Sequence, residues 1–174
     1  MIFQLLILSM AAVAAFAAPS PNAPTNQLCF FTAQIKEICR YNDKFINKLT
    51  IHTEARIPSI LSPNLVEVKQ YSEDLNIDRD PLIVYVSRPE ELIAGQLEVA
   101  RPNNTGDVQF QWTYALKYDT PITEKWTESN NGKDDDYACF PEKFDKEELY
   151  CDAANPGDER TKYLNCLFKC NNGR

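Results

Sequence analysis

The chain has 174 residues, a formal charge of −7, six cysteines and a single histidine. That length suits one domain with enough chain to bury a core. Lys and Arg are dispersed among carboxylates, which argues against a nucleic-acid partner or an anionic membrane surface, and one His with six cysteines tied up as disulfides leaves no zinc ligand set.

Residues 1–17, M-I-F-Q-L-L-I-L-S-M-A-A-V-A-A-F-A, carry no charged side chain and end on an A-x-A-like site, Ala15-Phe16-Ala17. This pattern reads as a signal peptide, so the chain is expected to be secreted and extracellular, with no membrane span after cleavage. An even number of cysteines in a secreted chain implies three disulfides, placing Cys29, Cys39, Cys139, Cys151, Cys166 and Cys170 in bonds. Residues 18–27, A-P-S-P-N-A-P-T-N-Q, have three prolines and no apolar period, and read as an exposed leader to a single domain over 28–174.

Leu28, Phe31, Ile35 and Ile38 fall on one helical stripe, so the spacing predicts a short N-terminal helix over Leu28 to Arg40. In such a helix Cys29 and Cys39 lie about 15 Å apart and must bond elsewhere. The expected arrangement is a local Cys139–Cys151 bond, with Cys29 and Cys39 joined to Cys166 and Cys170.

Strand patterns follow. Leu49 to Ile57 alternates, and Pro58 and Pro63 bracket a turn because proline donates nothing to a ladder. Leu65 to Tyr71 is a second strand. Leu82 to Val86, L-I-V-Y-V, is continuously apolar and reads as buried on both faces. Leu92 to Ala100 contains Gly95, read as a bend or bulge. Arg101 to Asp107 is a turn. It feeds the strongest signal of the chain, Val108 to Tyr118, where Val108, Phe110, Trp112, Tyr114, Leu116 and Tyr118 occupy every second position. Beyond Pro121, Lys125 to Glu128 and Asp136 to Phe140 flank a loop with Asn131-Gly132, a hairpin-turn dipeptide. Leu164 to Cys170 reads as a last helical turn or an edge strand. The expected fold is mainly β: an antiparallel β-sandwich or partly closed barrel, with a short N-terminal helix and a disulfide-stapled C-terminal tail.

Several sets of residues bear chemistry. His52, Glu54 and Arg56 share one face of a strand and form an acid–base–anion kit of the sort a phosphodiester hydrolase uses, though the same pattern is what a solvated strand face looks like. Asp74, Asn76, Asp78 and Asp80 supply alternate hard oxygens, as a calcium loop begins, but Arg79 and Tyr85 stand where its glycine and glutamate belong. Asn103-Asn104-Thr105 is a glycosylation sequon within a turn. Phe110, Trp112, Tyr114 and Tyr118 are core-forming, or else wall a pocket for a small apolar ligand. No cofactor is implied. The expectation is a secreted, non-enzymatic binding protein acting through its surface, with the Asn130 to Asp136 loop as one contact, on an extracellular protein. The alternatives are an aromatic-lined carrier of a small molecule or lipid, and a nuclease-like hydrolase built on His52, Glu54 and Arg56.

Overall fold

The computed structural model describes residues 28–42, 45–63, 67–70, 74–88, 93–102, 106–115, 120–129, 136–152 and 154–170. The expected signal peptide, the Pro-rich leader, the sequon at Asn103, residues 130–135 and Tyr118 lie outside them. Eleven strands are present among the described residues: β1 (Leu28–Asn42), β2 (Phe45–Arg56), β3 (Ser59–Leu61), β4 (Glu67–Gln70), β5 (Leu75–Asn76), β6 (Leu82–Arg88), β7 (Ile93–Ala100), β8 (Gln109–Tyr114), β9 (Ile122–Thr127), β10 (Tyr137–Pro141) and β11 (Glu159–Lys169). All pairings are antiparallel. One sheet runs β10-β11-β1-β2-β5, with β3 on β1 and β4 on β3. The other is the meander β6-β7-β8-β9. The sheets pack face to face as a sandwich, and their edges approach at both sides, β4 beside β6 and β9 beside β10.

No helix occurs among the described residues, and the segment expected to be one is the longest strand. Cys29, Phe31, Ala33, Ile35, Glu37 and Cys39 alternate inward along β1 and are all buried. The stripe Leu28, Phe31, Ile35, Ile38 obeyed the helical period by coincidence; counted with cysteine and alanine as apolar, the period of two is the better fit. Pairing decides it, since β1 is held by β11 along eleven residues from Leu28↔Lys169 to Ile38↔Glu159, and on its other side by β2 and β3. For the same reason β11 is an interior strand rather than an edge or a helical turn. Between Gln34↔Arg56 and Phe31↔Ile60 the register slips by one residue, at the point where Pro58 has no N–H to give.

The second sheet carries the strong alternating signal. Val108, Phe110 and Trp112 point inward and are buried, beside Leu97 and Val99 from β7 and Trp126 from β9. Phe110 stacks on Trp126 at 5.6 Å between centroids, Trp112 meets Phe168 at 4.8 Å, and Phe31 reaches Phe110 at 5.6 Å, so the aromatic groups knit the two sheets together. β6 is buried on one face only: Leu82, Val84 and Val86 face the core while Ile83 and Tyr85 face out, because nothing covers the outer side of this sheet among the described residues. Gly95 makes no bulge. The β6–β7 ladder runs through it in register, opposite Val86. Its lack of a side chain is needed because a Cβ there would lie 2.5 Å from the Trp112 ring and 2.7 Å from the Thr113 carbonyl oxygen.

The disulfides are Cys29–Cys170, Cys39–Cys151 and Cys139–Cys166. The first is among the expected connections; the local Cys139–Cys151 bond and a Cys39 link to the end of the chain are not formed. Strand geometry explains this. Cys29 and Cys39 stand about 33 Å apart along an extended strand, so they cannot both reach residues only four apart. Cys139 and Cys166 face each other across the β10–β11 ladder with Cα atoms 4.1 Å apart. Three such bonds are consistent with an oxidising, extracellular setting. No helix of the described residues is long and apolar enough to cross a membrane.

Candidate docking surface

The outer face of the first sheet divides into an apolar half and a charged half. At the apolar end, Phe30 of β1 lies opposite Leu61 of β3 and Leu167 of β11, and Thr32 lies opposite Asn165. Phe140 stands beside them, on β10. With Phe31, Ser59 and Cys166 these residues line a groove of about 300 Å³. Phe140 is 59% exposed and Phe30 38%, both high for a phenylalanine. The exposure follows from register. The even positions of β1 face outward, and β10 is the edge strand, so Phe140 has a neighbour on one side only. Two polar side chains of the groove are engaged: Thr32 Oγ1 donates to Asn165 Oδ1 (2.9 Å), and Asn165 Nδ2 donates to Glu142 Oε1 (3.2 Å). None of the nine lining residues is ionisable apart from Cys166, which is bonded to Cys139.

The charged half holds the acid–base kit seen in the sequence. His52, Glu54 and Arg56 do share a face of β2, together with Lys36 and Arg40 of β1. Their contacts are those of a strand pair. Glu54 is buried between Arg40 (2.6 Å) and Lys36 (3.6 Å). Both ring nitrogens of His52 have neighbours, Nε2 at 3.0 Å from Thr50 Oγ1 and Nδ1 at 3.2 Å from the Asn76 amide. Lys36 also pairs with Glu159 at 3.7 Å, so the face sets Lys36, Arg40 and Arg56 against Glu54 and Glu159. The Nε of Arg56 is buried with no hydrogen-bond partner among the described residues.

At the far end of the core a second ionic cluster lies on the inner face. Glu37 accepts from Arg160 through both Nε (2.8 Å) and Nη2 (2.7 Å), and Arg101 approaches its other oxygen at 3.3 Å. Arg101 also donates to Thr53 Oγ1, and Asp78 Oδ2 accepts the Thr53 amide at 2.6 Å. These groups plug one end of the space between the sheets, so a buried carboxylate is compensated where it lies. Asp78 thus holds Thr53 through Oδ2, while its buried Oδ1 lies 4.0 Å from Arg101 without a hydrogen-bond partner among the described residues, and Asn76 Oδ1 accepts from the Asp78 amide in a local turn. Asp74 is exposed, and the Asp80 amide donates to the Asn76 carbonyl. Asn76 and Asp78 thus serve a turn, and no group of three or more His, Cys, Asp or Glu is placed to hold a metal ion among the described residues.

Phe110 and Trp112 pack against Trp126, Phe31 and Phe168 and build the core. Tyr114, at the end of the row, is half-buried, and its phenol is raised above the ordinary value by burial, with the Glu124 carboxylate adding to the effect. The residues that the sequence did not single out are Phe30, Leu61, Phe140, Asn165 and Leu167. Counting Leu28 to Arg40 in steps of two would have set Phe30 and Thr32 on an outer face; joining them to Phe140 and Leu61 requires the strand order, which has no local signature. No family model, no curated protein and no solved structure matches this chain.

Proposed function

We propose that this chain is a secreted, non-enzymatic binding protein that docks on an extracellular protein through the outer face of its larger sheet. The observation that carries the reading is the groove between Phe30, Leu61, Phe140 and Leu167, an exposed apolar patch flanked by a charged strip. Protein interfaces have this anatomy, an apolar centre within a polar rim, and isolated apolar patches of this kind mark contact sites. Three disulfides support the extracellular setting. Neither alternative draws comparable support. A hydrolase needs a histidine and a carboxylate free to meet substrate, and here His52 and Glu54 are occupied in strand pairing. A carrier needs room along the aromatic row, and the rings fill it themselves.

The test is affinity capture of extracellular proteins by the wild type and by Phe140→Glu, followed by cross-linking to map the contact. Phe140 is exposed, so the variant is expected to keep its circular-dichroism spectrum and melting point while losing the captured partner. Undiminished capture, with cross-links away from β1, β10 and β11, would refute this surface and direct attention to residues 130–136, of which Asp136 pairs with Lys169 at 3.6 Å.

A further inference from the structure

We infer that the open edge of β2 receives an extended segment of a partner protein as an added antiparallel strand. Apolar side chains of that segment lie against Leu49 and Ile51, and a carboxylate lies opposite Lys48. This surface is separate from the groove at Phe30 and Phe140.

Backbone direction defines the edge. In an antiparallel ladder the N–H and C=O of one residue point to the same side, and successive residues alternate. The Thr53 carbonyl accepts from the Ile77 amide at 2.9 Å, and the Thr53 amide donates to Asp78 Oδ2 at 2.6 Å, so Thr53 turns away from β1. The β1–β2 register is unbroken from Thr53 back to Leu49, so Ile51 and Leu49 turn the same way. Cys39 agrees from the facing strand. It lies opposite Ile51, yet its amide and carbonyl bond on the far side, to Asp158 and Gly157. The amides and carbonyls of Leu49 and Ile51 therefore face a lane that holds no strand among the described residues, since β5 enters it only opposite Glu54 and Ala55. A strand edge left open in this way is a template for another chain.

The side chains beside the lane select the strand. Ile51 is 43% exposed, and Tyr41, opposite Leu49, is 49% exposed, so one face of the β1–β2 ribbon is apolar and uncovered. On the other face Lys48 is exposed and has no ion pair among the described residues, whereas Arg40 is held by Glu54. Opposite charges across a ladder stabilise it, and like charges oppose it. The exposed Asp74, Arg79 and Asp80 flank β5 at the other end of the lane. Thr53, where that end begins, is about 17 Å along the strand from Lys48, so the carboxylate belongs at the Lys48 end. A second copy of this chain fits worse. β5 closes the lane from Thr53, so two copies overlapping from Phe45 to Ile51 have their twofold axis at Lys48 and set two ammonium groups against each other.

The test is a ¹⁵N–¹H correlation and hydrogen-exchange titration of the oxidised chain with the capped peptide Ac-Thr-Val-Thr-Val-Glu-Val-NH₂. In antiparallel register this peptide sets valines at Ile51 and Leu49 and its glutamate at Lys48. Two controls accompany it, the same peptide with Lys in place of Glu, and one N-methylated on its first two valines. Saturable shifts and slowed exchange are expected at the Leu49 and Ile51 amides at millimolar peptide, while protection of the Thr50 and His52 amides, which face β1, stays as it was. The Glu peptide should bind at least about threefold tighter than the Lys peptide, and the N-methylated peptide should not bind. Ile51→Pro removes only an N–H that faces the lane, a position an edge strand allows, so the variant should keep its circular-dichroism spectrum and lose the shifts. Phe140→Glu should keep them. No saturable shift would overturn the inference, as would an N-methylated or Lys peptide that binds as tightly as the Glu peptide. So would Leu49 and Ile51 amides that are already protected without peptide in dilute protein, which means a lane already filled, or that gain protection with protein concentration alone, which means a second copy. If Ile51→Pro does not fold, the N-methylated peptide decides alone.

Discussion

Gly95 shows how one missing methyl group sets the packing of a sheet. β7 passes over the six-membered ring of Trp112, and the pair fit because glycine presents only hydrogen to it. A Cβ would meet two ring carbons at 2.5 Å and the Thr113 carbonyl oxygen at 2.7 Å. The backbone oxygen belongs to the β8 ladder and cannot rotate aside, and Trp112 is fully buried against Phe168. Either the ring leaves its place in the aromatic cluster or the two strands separate. Gly95→Ala is therefore expected to destabilise the fold by about 1–3 kcal/mol, the usual cost of overpacking, even though alanine suits a strand no worse than glycine. Urea denaturation measures it; an unchanged midpoint would show that Trp112 has room to move. Glu37 teaches a related lesson with charge. Its position on the inner face of β1 is tolerable because Arg160 arrives from β11 and Arg101 from just past the end of β7, which no pattern around Glu37 announces.

At the scale of elements, the segment between β10 and β11 has no regular structure; its first half is hydrogen-bonded to β11 through Glu142 and Asp145, and its second half is tethered to β1. The Cys39–Cys151 bond ties it to β1. The Cys39 amide donates to the Asp158 carbonyl at 2.8 Å, and the Gly157 amide to the Cys39 carbonyl at 3.0 Å, a geometry reached through the positive φ of 89° at Gly157. Asp158 completes the tether. Its carboxylate is held below the ordinary value first by the hydrogen bond from the Lys146 ammonium and then by the Tyr150 amide at 3.1 Å. A depressed carboxylate stabilises the docked segment above the unfolded-state value, and that contribution is lost as pH falls through the folded value. Hydrogen exchange over residues 142–158 should thus accelerate in the wild type as pH drops below about 3.9, after correction for intrinsic rates. In Asp158→Asn it should be faster at neutral pH and lack that acid step. An identical acid step in the variant would assign it to another group. How far the elements could be read in advance depends on where their cause lies. β8 was legible because its reason is local, Phe110, Trp112 and Tyr114 alternating with polar groups, although the strand covers only Gln109–Tyr114 of the expected Val108 to Tyr118, with 116–119 outside the described residues. β1 was not, since Leu28 to Arg40 satisfies both periods and only its partners β11, β2 and β3 choose between them. The exposed side of β6 misled in the same way, because L-I-V-Y-V says nothing about whether a second layer exists. Of the surface, the His52–Glu54–Arg56 face was foreseen on one strand, but the pairing of Glu54 with Lys36 and Arg40, and the groove at Phe140, are products of strand order.

Across the whole molecule, the disulfides act as a set because two of them clamp the same pair of chain ends. Cys29–Cys170 closes a loop with a sequence separation of 141, and Cys39–Cys151 one of 112. Taken singly, each removes about 5 kcal/mol of loop-closure freedom from the unfolded chain. They are not independent. With Cys29–Cys170 already formed, the shortest path from Cys39 to Cys151 runs back to Cys29, across the bond and back from Cys170, only about thirty residues, for which the same relation gives about 3.5 kcal/mol. The second staple is therefore worth roughly 1–1.5 kcal/mol less when the first is present. A double-mutant cycle over the two pairs, each replaced by alanines, should return a coupling of that size and sign in guanidinium denaturation, with Cys139–Cys166 left intact throughout. An additive cycle would mean that the two bonds act on the native state, through strain or packing of β1 against β11, and not on the unfolded chain. The distinction bears on the docking surface. Phe30 lies one residue from Cys29, and Phe140 and Leu167 each lie one residue from a cysteine of the third bond. Unfolded-state stapling would leave the groove unchanged when Cys29–Cys170 is removed, so partner capture by the Cys29→Ala, Cys170→Ala variant should persist at temperatures where the variant remains folded.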